Sequence, residues 1–155
     1  MQFVPAEELA DHIGEETGRS DWLEIDQDRI SRFAEVTEDR QWIHIDSAAA
    51  AQGPFGSTIA HGFLTLSLLS HLTMSTSIMP EGAVMYINYG SDKVRFLNPV
   101  TVGSRISAIG TLADVKEKSP GQILLTSHVV VVFEGDDLPA LVADLLTLAV
   151  MGQGG

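Results

Sequence analysis

Along the chain, apolar and polar positions change their period near Pro80, from helical spacing before it to strand-like runs after it. Leu9, Ala10 and Ile13 predict a helix over Ala6 to Glu16, and Ser20 to Ile25 reads as a short strand. Ile30, Phe33 and Ala34 stand at i, i+3 and i+4, with Arg29, Arg32 and Glu35 on the opposite side. That pattern is an amphipathic helix capped by Asp26 and ending near Thr37. Glu38 to Ile45 has no clean period and is expected to be irregular. Asp46 caps a short helix over Ala48 to Ala51, which Gly53-Pro54 stops. Phe63 to Met79 is the most apolar long stretch. Its Thr65, Ser67, Ser70 and His71 would lack partners in hydrocarbon, so it predicts a buried helix of a soluble domain rather than a membrane span.

After Pro80 strands are expected over Ala83 to Tyr89, Lys93 to Phe96, Arg105 to Val115, Gln122 to Phe133 and Ala140 to Met151. Lys118-Ser119-Pro120-Gly121 turns one long strand back on the next, and Gly135-Asp136-Asp137 makes a second turn. The last strand is apolar almost throughout, as a central strand covered on both faces would be. Helices first and an antiparallel meander afterward give an α+β fold with the buried helix against the sheet. With no repeat and no long linker, residues 1–155 form one domain whose tail, Gly152 to Gly155, is expected to be mobile.

Composition narrows the function. The apolar fraction of 45% with 19% charged residues is globular. There is no cysteine, which removes disulfides, thiolate metal sites and cysteine nucleophiles together. Nine Lys+Arg against 21 Asp+Glu leave a formal charge of −12, which repels phosphate backbones and argues against nucleic acid as a partner. Met1 to Gly14 lacks a cationic region followed by an apolar one, so the expected location is cytoplasmic. Lys93 and Arg95 form the one tight basic pair on a predicted strand.

The histidines carry the candidate chemistry, since imidazole moves protons near neutral pH. His12, His71 and His128 fall inside regular elements, where a structural role is the plain reading. His44 and His61 fall in irregular segments beside acidic, glycine or proline residues. Asp39 precedes His44 by five positions, and a carboxylate and an imidazole turned toward one water form a general acid/base pair. Spacing alone is equally compatible with Asp39 ending a helix and His44 packing beneath Trp42. Gly62 opens the apolar helix, where an unpaired N–H could stabilise an oxyanion or the missing side chain could simply relieve crowding.

Together, Phe33 to Asp46 with its Asp39 and His44, Ala60-His61-Gly62-Phe63-Leu64, Ile87-Asn88-Tyr89-Gly90 and Lys93 to Gly103 resemble the hydratase-2 motif of MaoC-like dehydratases. The branch resembled includes nodulation-protein-N-like enoyl-CoA hydratases, and the likeness covers nearly the whole chain. It implies a hotdog fold, a long central helix wrapped by a curved antiparallel sheet, and a homodimer with active sites at the subunit interface. It further implies a hydro-lyase of fatty acid metabolism that adds water to trans-2-enoyl-CoA and gives the (R)-3-hydroxyacyl product. Asp39 and His44 would be catalytic, Gly62 the oxyanion donor and Ser70 a residue lining the site. No metal or redox cofactor is implied, coenzyme A being part of the substrate. Its phosphates are expected near Lys93, Arg95 or Arg105, although an ion-paired strand face accounts for Lys93 and Arg95 equally. The sequence departs from the commonest motif at Glu38, Gln41 and Trp42, where Gly, Asn and Pro are usual. A hotdog thioesterase and a non-catalytic acyl-thioester binding protein are the competing readings.

Overall fold

A computed structural model describes residues 1–152 and places their long apolar strands in one sheet of order β2-β6-β7-β8-β5. These are β2 (Glu16–Arg19), β5 (Ala83–Phe96), β6 (Arg105–Ser119), β7 (Gln122–Phe133) and β8 (Asp136–Met151), with β3 (Leu23–Glu24) also pairing β6. Every pairing in this sheet is antiparallel. A second, two-stranded parallel sheet joins β1 (Gln2–Val4) to β4 (Ile78–Pro80).

The strand period of two sorts the side chains. Ile106, Ala108, Val129, Val131, Leu141 and Ala143 share one face and are buried with Ile30, Leu64, Leu69 and Leu72 of the helices. Each Val, Leu or Ile among them, taken from water, contributes roughly 1.5–3 kcal/mol and each Ala less, so this face fixes the register. A second cluster, Val4, Leu9, Ile78, Leu112, Leu125 and Ala149, seals the end of the sheet under β1.

The α+β reading and the central place of β8 hold, and several boundaries move. Ala6 to Glu16 is only a short 3-10 helix over Ala6–His12, and Glu16 already pairs with Thr111 as the start of β2. The strand expected over Ser20 to Ile25 shrinks to β3. The two strands expected between Ala83 and Phe96 are one strand with bulges between Asn88/Gly90 and Asp92/Arg95. The second turn is one residue earlier, with Gly135 at φ 79 and β8 already begun at Asp136. Glu38 to Ile45 contains a one-turn helix, α2 (Trp42–Ile45), between α1 (Gln27–Thr37) and α3 (Ser47–Ala51).

The long buried helix is the largest correction. It is broken into α4 (Gly62–Ser67) and α5 (Leu69–Leu72), and Ile78 is strand. Its hydroxyls explain the shortening. Ser67 donates to the Phe63 carbonyl, Thr73 to that of Leu69 and Ser77 to that of Thr73, back-bonds that compete with the helix ladder and bend it. Nor is the segment buried all round, because Phe63, Ser67, Ser70, His71 and Met74 are exposed. Gly152 is held to the Gly82 carbonyl at 3.0 Å, and the rest of the tail, 153–155, lies outside the described residues. No helix among the described residues is long and apolar enough to cross a membrane.

Candidate active site

Asp26 ends the extended chain and accepts from the Arg29 N–H at 2.8 Å, which starts α1. Twelve residues after Asp26, Glu38, at φ 61, takes the left-handed conformation that turns the chain out of the helix. The glycine usual there would adopt it freely. Asp39 follows on the exposed side of this turn. Trp42 occupies the first position of α2, where proline is well suited, and its ring lies so close to Gly53 that an added Cβ there would sit 2.9 Å away. The indole therefore packs on the Gly53-Pro54 turn and is not among the residues lining the cavity beside Gly62.

His44 is buried at 6% exposure and tied down at both ends. Its Nδ1 lies 2.7 Å from the Ile59 carbonyl, which can only accept, so Nδ1 carries the proton and Nε2 holds the free lone pair. Ile59 in turn donates its N–H to the Ile43 carbonyl at 3.0 Å, and its neighbours are pinned by Ala60 N–H to Val100 and Val102 N–H to Thr58. Gln27 strengthens the frame, donating to the His44 carbonyl at 2.8 Å and accepting from the buried Thr58 hydroxyl. The sequence reading did not select Gln27; its signal, an amide at the first position of α1, is ordinary at a helix start. Burial pushes the His44 imidazole below its usual range, with the neighbouring His61 adding to the effect while the Ile59 bond and Asp39 oppose it. A neutral, singly protonated ring with an open Nε2 is the form a general base requires.

His61 stacks on His44, with ring centroids 3.7 Å apart and planes inclined by 23°. Its Nε2–H donates to the Asp39 carbonyl at 2.9 Å. A ring nitrogen of each histidine and a carboxylate oxygen of Asp39 lie within 4.8 Å of one another, so the fold brings the predicted pair together and adds a third member. The three carry the donor types of a cation site, but two nearly parallel rings cannot both aim an in-plane lone pair at one ion within bonding reach.

Gly62 opens α4 one residue after His61, where backbone N–H groups lack intrahelical acceptors. The face of Gly62 is covered by Phe96 of β5, whose ring atoms would stand 2.9, 3.0 and 3.1 Å from an added Cβ. An apolar cavity of about 290 Å³ adjoins it, lined by Phe55, Ile59, Thr65, Phe96, Pro99 and Val100 among others.

The remaining selected residues lie apart from this cluster. Ser70 is on α5, about 12 Å along the helix direction from Gly62 at ~1.5 Å per residue. It accepts from the Asn88 amide at 3.3 Å and lines cavities of about 190 and 230 Å³ against β5 and β8. Lys93, at φ 51 in the second bulge, ion-pairs with Asp144 at 2.8 Å, and Asp144 also accepts from His128 Nδ1 at 2.8 Å. Arg95 donates to the Val94 carbonyl, and Arg105 makes a forked pair with Glu134.

Two short helices, α4 and α5, packed on one face of a six-stranded antiparallel sheet are the architecture of the hotdog class, and Asp39 and His44 stand together beside the start of α4. The family model described as a MaoC like domain matches residues 8–134, and the chain belongs to the MaoC-like dehydratase family. It is 45% identical over 142 residues to 3-hydroxyacyl-thioester dehydratase Z of Mycobacterium tuberculosis, covering 92% of this chain and 93% of the relative. It is 41% identical over 149 residues to nodulation protein N of Rhizobium leguminosarum, covering 96% and 92%. The solved (R)-hydratase of A. caviae involved in PHA biosynthesis superposes with a TM-score of 0.70 at 25% identity, over 87% of this chain and 94% of that one.

Proposed function

We propose that this protein catalyses the reversible syn addition of water to a trans-2-enoyl-CoA thioester, giving the (R)-3-hydroxyacyl thioester. The observation that carries the reading is the tautomer of His44, Nδ1–H on the Ile59 carbonyl and Nε2 left as the free acceptor, in a ring clustered with Asp39. Its relatives' names, a 3-hydroxyacyl-thioester dehydratase and an (R)-hydratase, support the reaction class.

A water held between Asp39 and His44 attacks C3 of the enoyl group, and its proton passes to His44 Nε2 as the C3–O bond forms. The electron pair of the C2–C3 double bond moves onto the thioester oxygen as an enolate. The Gly62 N–H faces that oxygen, an interaction whose loss typically costs ~3 kcal/mol of barrier. The proton taken by His44 then passes through Asp39 to C2 on the same side, which completes the addition of one water and returns both groups to their starting state. Every bond made or broken is accounted for by these groups and water, so the step requires neither a redox cofactor nor a metal.

Of the candidate cations for coenzyme A phosphates, Arg105 is paired with Glu134 while Arg95 donates only to the Val94 carbonyl, which favours Arg95. Lys93 is engaged by Asp144. A homodimer fits the edge strand β5, whose Val84, Met85, Ile87 and Tyr89 are exposed and whose outer side has no neighbouring strand among the described residues.

Loss of enoyl absorbance from crotonyl-CoA and longer trans-2-enoyl-CoAs tests the reaction. Native protein should remove it, while Asp39→Asn and His44→Ala, with native circular dichroism, should not. Thiol release from a saturated acyl-CoA would favour the thioesterase instead. Acyl-CoA binding without turnover at any chain length would favour a binding role.

A further inference from the structure

His61 is the second histidine found outside a long element, and the acid/base chemistry of the pair leaves it without a task. Its environment is nonetheless constrained on every side. It is buried at 3% exposure at the start of α4. One face stacks on His44, and Phe33 of α1 packs against it at 5.0 Å with the planes inclined by 52°. The hydrogen bond to Asp39 fixes its tautomer. A carbonyl cannot donate, so Nε2 bears the proton and Nδ1 is a bare acceptor, buried and without a hydrogen-bond partner among the described residues.

These contacts fall on the two groups that need holding. Asp39 follows a residue in the left-handed conformation and precedes α2, so no helix or strand ladder fixes its backbone. Its carbonyl is anchored by His61 Nε2–H. His44 has its ring edge fixed by Ile59, which leaves rotation about that bond to be limited by whatever covers its face, and the cover is the His61 ring. One side chain thus touches both members of the pair, by its edge at Asp39 and by its face at His44.

We propose that His61 is the positioning residue of the site, holding the main chain at Asp39 and the ring of His44 so that carboxylate and imidazole keep a fixed separation. The proposal rests on the hydratase reading for its kinetic consequence, while the geometry it asserts has a readout that needs no substrate. Removing the contact that orients a metal-bound histidine typically costs about 10–100-fold in activity, and a loss of the same order is expected for the contacts that orient Asp39 and His44.

Three variants separate the two contacts. His61→Phe keeps a ring over His44 and removes the donor to Asp39. His61→Gln keeps an N–H able to reach the Asp39 carbonyl and removes the ring. His61→Ala removes both. With crotonyl-CoA, kcat should fall roughly tenfold in each of the first two and ~100-fold in the third, with KM within about threefold of native. Native kcat in His61→Phe or His61→Gln, or a loss confined to KM, would overturn the proposal. Should His61→Phe fail to fold, His61→Gln against His61→Ala decides: the glutamine variant clearly faster supports it, equal rates overturn it. Ring nitrogen NMR shifts of His44 complete the test without turnover. A single Nδ1–H tautomer in the native protein and averaged shifts in His61→Ala are expected, and unchanged shifts overturn the positioning role. If native protein hydrates no enoyl-CoA, the hydratase reading fails by itself, and the NMR comparison still judges His61.

Discussion

Gly62→Ala isolates what the glycine at the helix start is for. The backbone conformation there is ordinary, because Gly62 is absent from the positive-φ glycines, so alanine meets no torsional penalty. The nearest obstacle is the Phe96 ring, at 2.9 to 3.1 Å from the new methyl. Carbon atoms settle at about 3.5–4.0 Å, so ring and helix start must part by roughly half an ångström to one ångström. Overpacking of this size costs about 1–3 kcal/mol. The lower end applies, since Phe96 is 47% exposed and has room to swing outward past Phe63, its edge-on neighbour at 5.8 Å. For a chain of this length, about 1 kcal/mol lowers the melting temperature by roughly 2–4 °C. Complete loss of an oxyanion donor costs ~100- to 1,000-fold in kcat, and a donor displaced by less than an ångström should cost about tenfold. Differential scanning calorimetry and crotonyl-CoA hydration measure the two effects. Adding Phe96→Leu makes the room, and the double variant should recover most of the lost rate, a coupling that a double-mutant cycle reads directly. Native rate and stability in Gly62→Ala, or a double variant as slow as the single, would refute the steric account.

Burial holds His44 below its ordinary value, so the acid limb of kcat/KM should lie below pH ~6.5, and a limb above that value in a pH–rate profile would contradict the assignment. The same shift makes His44 contribute stability that is fully present above its unfolded value and lost as pH falls through the folded one. Glu38→Gly should stabilise by about 1 kcal/mol, because glycine adopts φ 61 without the penalty a side chain incurs; equal or lower melting temperature would count against it. Asp144→Asn should cost about 1–2 kcal/mol at pH 7 by urea titration, a modest figure because Lys93 is 81% exposed. The hydrogen-bonded Lys93 ammonium, and then His128, hold the Asp144 carboxyl below the usual range against its burial. Its contribution is therefore intact above pH ~3.9 and lost as pH falls through the lowered value, so the gap between native and variant should close in acid.

Where one period governed a whole element, the sequence was sufficient to find it. α1, with Ile30 and Ala34 facing the core, and β6 to β8 lie close to where alternation put them. Errors gathered where a local signal competed with a tertiary one. Gly90-Ser91-Asp92 resembles a break but is carried through as strand by the ladder to β8, with bulges absorbing the mismatch. Phe63 to Met79 is apolar enough for one helix, yet its hydroxyls bond back to their own turns, and the parallel pairing of Gln2 with Ile78 takes the end as strand. That pairing is non-local and leaves no trace in periodicity.

The site shows the same division. Asp39, His44 and Gly62 could be selected as candidates from residue type, spacing and resemblance, and the fold gathers Asp39 and His44 because the elements that present them are adjacent along the chain. What makes them chemically specific could not. The His44 proton is placed by the Ile59 carbonyl and the Asp39 backbone by His61, both across loops, and carbonyls are common to all residues, so no composition or spacing marks these two. Likewise Lys93 and Arg95 look alike in sequence, and only the register that sets Asp144 opposite Asp92 and His128 gives the first of them a partner. Residue identity therefore specifies which groups can move a proton. The tautomer of the His44 ring, and so which of its nitrogens is free to accept, is set by the backbone of a segment fifteen residues away.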